Sequence, residues 1–287
     1  MAQNSTLPIN HHWYHAVNSQ DKLNVALRAA ESTSVAAKTH SIEADTIYSE
    51  SKQQAVMGHP PACDGDLTLQ SFLEQLQQSS FQYPSSSIGD TSDSTNRIVK
   101  LDFKSMKAFQ SSISHVQSYL SKLPRRFHHL VWINADILPG PGEDINDEQA
   151  QVKLKPKFDA VQFLQVVTTQ LPGTTLSIGW TTSLSDTRAV YTSEMVQEMM
   201  VVLKPYNDLK VTFPIRGTSF RHSFDVLQHL YINDWTITLW WSLEKLPKEE
   251  FDWIYHTFEK GEMVYRNRTY YDLAGFEDYL SCCSLDK

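Results

Sequence analysis

The chain has 287 residues, 41% of them hydrophobic and 11% aromatic, enough apolar material for one large core or two small ones. Its net charge of −8 argues against a duplex nucleic-acid surface, which takes a clustered basic excess. No apolar stretch reaches bilayer-spanning length, residues 1–8 have neither the basic start nor the apolar core of a secretion signal, and three cysteines, two of them adjacent, make no disulfide framework. A cytoplasmic protein without a transmembrane segment is expected.

In chain order, a short N-terminal tail (1–11) leads to a first strand-like run at Trp13–Val17, with His15 and Asn18 at its end, and an amphipathic helix follows at Gln20–Glu31. The next strand, Ser41–Tyr48, carries Glu43 and Asp45 two residues apart, so both carboxylates leave one face. Its apolar context makes two like charges costly unless a cation or a base neutralises them. A second short run returns from this strand and ends at His59, before a helix over Leu67–Gln78.

Residues 79–97 are rich in Ser, Asp and Thr and are expected to form a flexible insertion. Then come a strand at Ile98–Lys104 bearing Asp102 and Lys104, a helix at Met106–Leu123, and a strand at Leu130–Asp136 ending in Asn134 and Asp136. A long loop over the barrel mouth is expected at 138–151, opening Pro139-Gly-Pro-Gly142.

The second half repeats the alternation. Helices at Phe158–Leu171, Ser193–Leu203, Phe220–Tyr231 and Pro247–Glu259 separate strands at Thr175–Thr181, Lys210–Gly217, Thr236–Ser242 and Glu262–Tyr270. Trp180, Arg216 and Trp240 stand at strand ends, and the stretch after Gly275 is left unassigned. Eight strands alternating with helices at this length predict a single (β/α)8 TIM barrel over residues 1–287, with the site at the C-terminal strand ends.

Two histidines, three carboxylates and a lysine are the groups of a metal-assisted phosphodiesterase: hard oxygen ligands, an acid–base pair and a fixed positive charge. Glu43, Asp45 and Asp102 are expected to hold one divalent cation, Mg2+ first, with Ca2+ or Mn2+ as alternatives. Catalysis is assigned to His15, His59 and Lys104. A guanidinium such as Arg216 suits a phosphate, and it could equally pair with Asp136.

The motifs Trp13-Tyr-His15-Ala-Val-Asn18, Ile42-Glu43-Ala-Asp45, Gly58-His59-Pro-Pro61, Lys100-Leu-Asp102-Phe-Lys104, Trp132-Ile-Asn134-Ala-Asp136-Ile-Leu-Pro-Gly-Pro141, Leu176-Ser-Ile-Gly-Trp180 and Val211-Thr-Phe-Pro214-Ile-Arg216 occur in this order. The set resembles the menorin family from about Trp13 to Trp240. More remotely it is similar to the glycerophosphodiester phosphodiesterases and the venom sphingomyelinase D enzymes, which are phosphodiesterase barrels. By position, the resemblance implies catalytic roles for His15 and His59, acidic roles for Glu43, Asp45 and Asp102, and a nearby lysine in Lys104. Asn18, Asn134, Asp136, Trp180, Arg216 and Trp240 are the expected substrate-binding residues. The remote enzymes follow their first histidine with Arg-Gly, where this chain has Ala-Val-Asn18, so headgroup contacts do not transfer.

The expected activity is cleavage of a phosphodiester, with a glycerophosphodiester or lysophospholipid as substrate, or an RNA end bearing a linear or cyclic phosphodiester. The alternative is a non-catalytic barrel acting as an adhesion or signalling binding protein, a role that secreted menorin relatives suggest.

Overall fold

In the computed structural model, residues 7–31, 39–79, 97–141, 156–182, 189–206 and 208–285 are described. Nine strands form one sheet in the order β1-β2-β4-β5-β6-β7-β8-β9, with β3 paired only to β2. They are β1 His11–Tyr14, β2 Thr39–Ser49, β3 Gln54–Met57, β4 Val99–Phe103, β5 Val131–Leu138, β6 Thr175–Trp180, β7 Val211–Arg216, β8 Thr236–Trp241 and β9 Thr269–Leu273. The pairs β1–β2, β2–β4, β4–β5, β7–β8 and β8–β9 are parallel, and β2–β3 is an antiparallel hairpin. A helical segment follows each strand of the sequential order, which is the (β/α)8 TIM-barrel arrangement that the alternation predicts.

The chain divides into two compact units, one containing Asn10–Ala135 and Lys157–Ser177, the other Leu7–Ile9, Asp136–Pro156 and Ile178–Lys287. In the first, helices α1 Gln20–Glu31, α2 Leu69–Gln78, α3 Met106–Lys122 and α4 Ala160–Gln170 accompany the strands. Thr68, Ser105 and Asp159 cap α2, α3 and α4, each side chain accepting a first-turn N–H. Alternation along the strands sorts the residues by face. Ile42, Ala44, Val99, Leu101, Phe103 and Ile133 are fully or almost fully buried. The aromatic core steps from Phe103 to Phe109 to Phe163, with ring centroids 5.3 and 4.7 Å apart. Glu43, Asp45, Lys100, Asp102 and Asn134 occupy the other face of the same strands.

In the second unit α5 Ser193–Leu203 keeps its expected bounds, capped by Thr192. The expected helix Phe220–Tyr231 is a chain of short turns from Gly217 to Leu230 instead, because the path tightens at Arg221–Ser223 and again at Gln228–Leu230. Helix α6 Lys248–Ile254 runs on into a π-helical turn, Tyr255–Glu259. The expected last strand Glu262–Tyr270 is corrected as well. Met263–Arg266 is helical and the strand is Thr269–Leu273, since a short apolar run fits either element until its neighbours decide. Helix α7 Phe276–Leu285 forms the unassigned tail, entered through Gly275 at φ 79°. Its Phe276 and Tyr279 pack against Phe251, with centroids 5.4 and 5.5 Å away.

The first strand is His11–Tyr14 and not Trp13–Val17, so it starts at the last residue of the expected tail, after a helical turn at Pro8–Asn10. Apart from Ser79 and Arg97, the insertion at 79–97 lies outside the described residues. So does the loop at 138–151 beyond Pro141.

Candidate active site

The site is built on β2. Its parallel pairing with β4 runs from Ile42 to Thr46, and from Thr46 to Ser49 it pairs with β3. Glu43 and Asp45 therefore sit at the C-terminal end of the parallel part of an eleven-residue strand. Register then sets Glu43 beside Lys100, and Asp45 beside Asp102 and, one strand further, Asn134. Ligand oxygens of Glu43, Asp45 and Asp102 lie within 4.8 Å of one another.

Two turns bring the remaining groups. After β1 the chain turns at Ala16, leaving His15 Nδ1 3.7 Å from Glu43 Oε2. After β3 the Gly58 N–H donates to the Asp45 carbonyl at 2.9 Å, which delivers His59 beside the acid pair. The His59 ring is exposed, with Nδ1 2.6 Å from the Pro60 carbonyl. Since a carbonyl only accepts, this contact assigns the proton to Nδ1 and leaves Nε2 for chemistry. Gly65 closes the following loop where a Cβ would stand 2.1 Å from the Met57 oxygen.

Lys104 ties the acids together. Its ammonium is 2.6 Å from Asp45 Oδ1 and 2.7 Å from Asp102 Oδ2. Burial disfavours its charge, but Asp102, Asp45 and Glu43 outweigh burial and hold the lysine well above its ordinary range. Burial also works against the Asp45 charge. Lys104 and the Asn18 amide, with His59 adding a smaller share, nevertheless hold that carboxyl below the usual range. Glu43 goes the other way: burial, then Asp45, push it up to about 7 against the opposing charges of His15 and Lys100.

This set fits a hard divalent cation. The donors are all carboxylate oxygens, two of the three acids are buried, and Glu43 is a buried acid whose charge the surrounding protein leaves undercompensated. Among the described residues, hydrogen bonds take Oε2 of Glu43 and Oδ2 of Asp102. The second oxygen of each is left for an ion.

The first unit thus brings together His15, Asn18, Glu43, Asp45, His59, Asp102 and Lys104. Asn134 is buried in the same row, its Oδ1 accepting from Ser177 Oγ at 2.5 Å. Asn18, expected at the substrate, spends its amide on Asp45 at 2.7 and 2.8 Å. The Ala16 N–H, which donates to Glu43 Oε2 at 2.7 Å, is a site group that no residue-type signal announces.

Asp136, Trp180, Arg216 and Trp240 belong to the second unit. Trp180, expected to line the substrate site, is a core residue: it is 1% exposed and packs on Tyr191 and Phe213, with centroids 5.4 and 6.1 Å away. Arg216, expected as a phosphate anchor, has no exposed surface. Its guanidinium donates to Ser219 Oγ at 2.8 and 3.0 Å and to the Ala189 carbonyl at 3.5 Å, and its N–H to the Tyr191 hydroxyl at 3.3 Å. Asp136 lies near enough to help burial raise the Tyr191 phenol. Trp240 is half-buried, its ring centroid 6.3 Å from that of Trp241.

Comparison with known proteins places this chain in a family. The Menorin N-terminal domain matches residues 9–276. The chain belongs to the menorin family. Within it, Protein FAM151B of Homo sapiens is 31% identical over 261 residues, covering 88% of this menorin chain and 80% of the relative. Among solved structures, a glycerophosphodiester phosphodiesterase from Parabacteroides distasonis superposes at a TM-score of 0.48 with 9% identity, over 96% of this chain and 99% of that one. No helix among the described residues of this menorin-family chain is long and apolar enough to cross a membrane.

Proposed function

We propose that this menorin-family chain is a metal-dependent phosphodiesterase. The observation that carries the reading is the trio Glu43, Asp45 and Asp102, with ligand oxygens within 4.8 Å of one another, joined by Lys104 and flanked by His15 and His59. Glu43, Asp45 and Asp102 would hold the ion, Mg2+ first. Bound there, a divalent ion supplies Lewis acidity toward a phosphate oxygen.

The protein's own groups divide the rest of the work. His15, beside Glu43 at 3.7 Å, takes the proton of the attacking hydroxyl, and the carboxylate steadies the imidazolium that forms. His59 acts as the imidazolium, keeping its Nδ1 proton on the Pro60 carbonyl and giving the Nε2 proton to the leaving oxygen. An ammonium has three donors, and Lys104 uses two on Asp45 and Asp102, so one N–H remains for a non-bridging phosphate oxygen. When the attacking hydroxyl is water, the products are a monoester and an alcohol; when it belongs to the substrate, a cyclic phosphate and an alcohol result.

A glycerophosphodiester or lysophospholipid is the proposed substrate, with an RNA end as the competing class. The test is turnover of these diesters by purified protein with Mg2+, Mn2+ or Ca2+ and with chelator, beside His15→Ala and His59→Ala. Metal-dependent cleavage is expected, falling about 10²–10⁴-fold in either variant. Wild-type turnover in either variant removes the paired-histidine mechanism. No turnover together with no ion binding overturns the enzyme reading in favour of a binding barrel.

A further inference from the structure

The turn after β1 grips both members of the acid pair. Ala16 stands in the left-handed region at φ 52°, a conformation that residues with a Cβ rarely adopt, and there its N–H reaches Glu43 Oε2 at 2.7 Å. Two residues on, Asn18 makes a two-point contact with Asp45. Its Nδ2 donates to Asp45 Oδ2 at 2.7 Å, and its Oδ1 accepts the Asp45 N–H at 2.8 Å. The turn is itself tied down: the Asn18 N–H and the Lys22 ammonium both donate to the Ala16 carbonyl at 2.8 Å, and the Val17 N–H donates to the Glu43 carbonyl at 2.9 Å.

Asp45 is therefore held by one donor on each oxygen, Asn18 on Oδ2 and Lys104 on Oδ1. Each carboxylate oxygen has two acceptor positions, so this grip fixes the rotamer while leaving one position per oxygen for a cation. The side chain that supplies the grip also bonds the Asp45 backbone, which makes it a rigid two-point splint. Only an amide of this length offers a donor and an acceptor side by side for the task.

We infer that Asn18 is a positioning residue for the cation ligand Asp45, and not a contact to substrate. The inference rests on the metal-dependent reading above. Outer partners of metal ligands commonly set affinity by 10- to 100-fold. The experiment titrates Mn2+ into wild-type and Asn18→Ala protein, following free Mn2+ by its paramagnetic resonance, with circular dichroism confirming the fold. Mn2+ affinity is expected to fall about 10- to 100-fold in the variant.

A second readout separates positioning from substrate contact. At saturating Mn2+ the variant's turnover is expected to recover with KM unchanged, whereas a lost substrate contact raises KM at every Mn2+ concentration. Unchanged Mn2+ affinity, or a raised KM at saturating Mn2+, overturns the inference. If Asn18→Ala does not fold, Asn18→Ser, which keeps one hydrogen-bonding group, is expected to show the same loss in smaller degree; wild-type affinity there overturns it equally. Wild-type protein that binds no Mn2+ overturns the metal-dependent reading, and the inference falls with it.

Discussion

The rows of side chains across β2, β4 and β5 differ from those across β7, β8 and β9 in how they treat charge. In the first unit Glu43 lies beside Lys100, and Asp45 beside Asp102 and Asn134, so neighbouring strands concentrate ionisable groups at one level. In the second unit the matching row is Arg216, Trp240 and Asp272, two charges separated by an indole. Arg216 is wrapped by a hydroxyl and a carbonyl, and the threonines below it bond each other, Thr212 Oγ1 to Thr238 Oγ1 at 2.8 Å. Charge that is fully enclosed by internal partners is part of the packing. Charge held close to like charge, as with Glu43 beside Asp45, costs stability.

The contrast predicts different responses to mutation, and the largest belongs to the second unit. Phe220 has no exposed surface and stands amid Phe224, Trp253 and Phe258, with centroids 5.8, 5.9 and 5.2 Å away. Phe220→Ala is expected to cost about 3–5 kcal/mol in chemical denaturation, with the Mn2+ affinity of the folded protein unchanged. Lost Mn2+ affinity in the folded variant would break the division of labour.

Next in size is a pH effect in the first unit. His11 is buried against Ser41, with Nδ1 2.8 Å from Oγ, and burial lowers it to about 4 from 6.5. As pH falls below 6.5 the unfolded chain takes up a proton that the folded one refuses until about pH 4. The contribution is thus complete above 6.5 and is lost progressively toward 4, by about 3 kcal/mol in all. His11→Gln is expected to flatten this part of the stability–pH curve, measured by denaturation between pH 4 and 7. An unchanged slope would show that other groups set it.

Much of this was legible before the structure. The bounds of α1 and α5 agree with the amphipathic pattern, and the acid pair follows from the two-residue period of a strand. Other features depend on tertiary context that residue type does not signal. Ala16 is not a residue type that announces a positive φ, so no residue signals the turn that bonds Asn18 to Asp45. Arg216 and Trp180 stand at strand ends, where burial and exposure look alike in sequence. The expected strand Glu262–Tyr270 holds a single helical turn, Met263–Arg266, before the true strand, because one turn is too short to show a helical period, and helix α7 depends on Phe276 and Tyr279 finding Phe251.

The smallest of these effects has the opposite sign to the Phe220 variant. Glu43 is 2% exposed and lies near Asp45, and burial with that neighbour's charge pushes its carboxyl up to about 7. At pH 8 in chelator the ionised side chain opposes folding. Glu43→Gln removes the charge, keeps an oxygen to accept the Ala16 N–H, and brings an amide that can donate to Asp45. The shift from 4.5 to about 7 amounts to about 3 kcal/mol, and the buried amide gives part of it back through its own desolvation, so the variant is expected to be more stable than wild type by about 2 kcal/mol under these conditions, read from the denaturation midpoint. Added Mn2+ should raise the midpoint of the wild type and leave the variant in place. A Glu43→Gln protein less stable than wild type in chelator would mean that Lys100 and His15 already compensate the Glu43 charge, and the contrast between the two rows would lose its energetic basis.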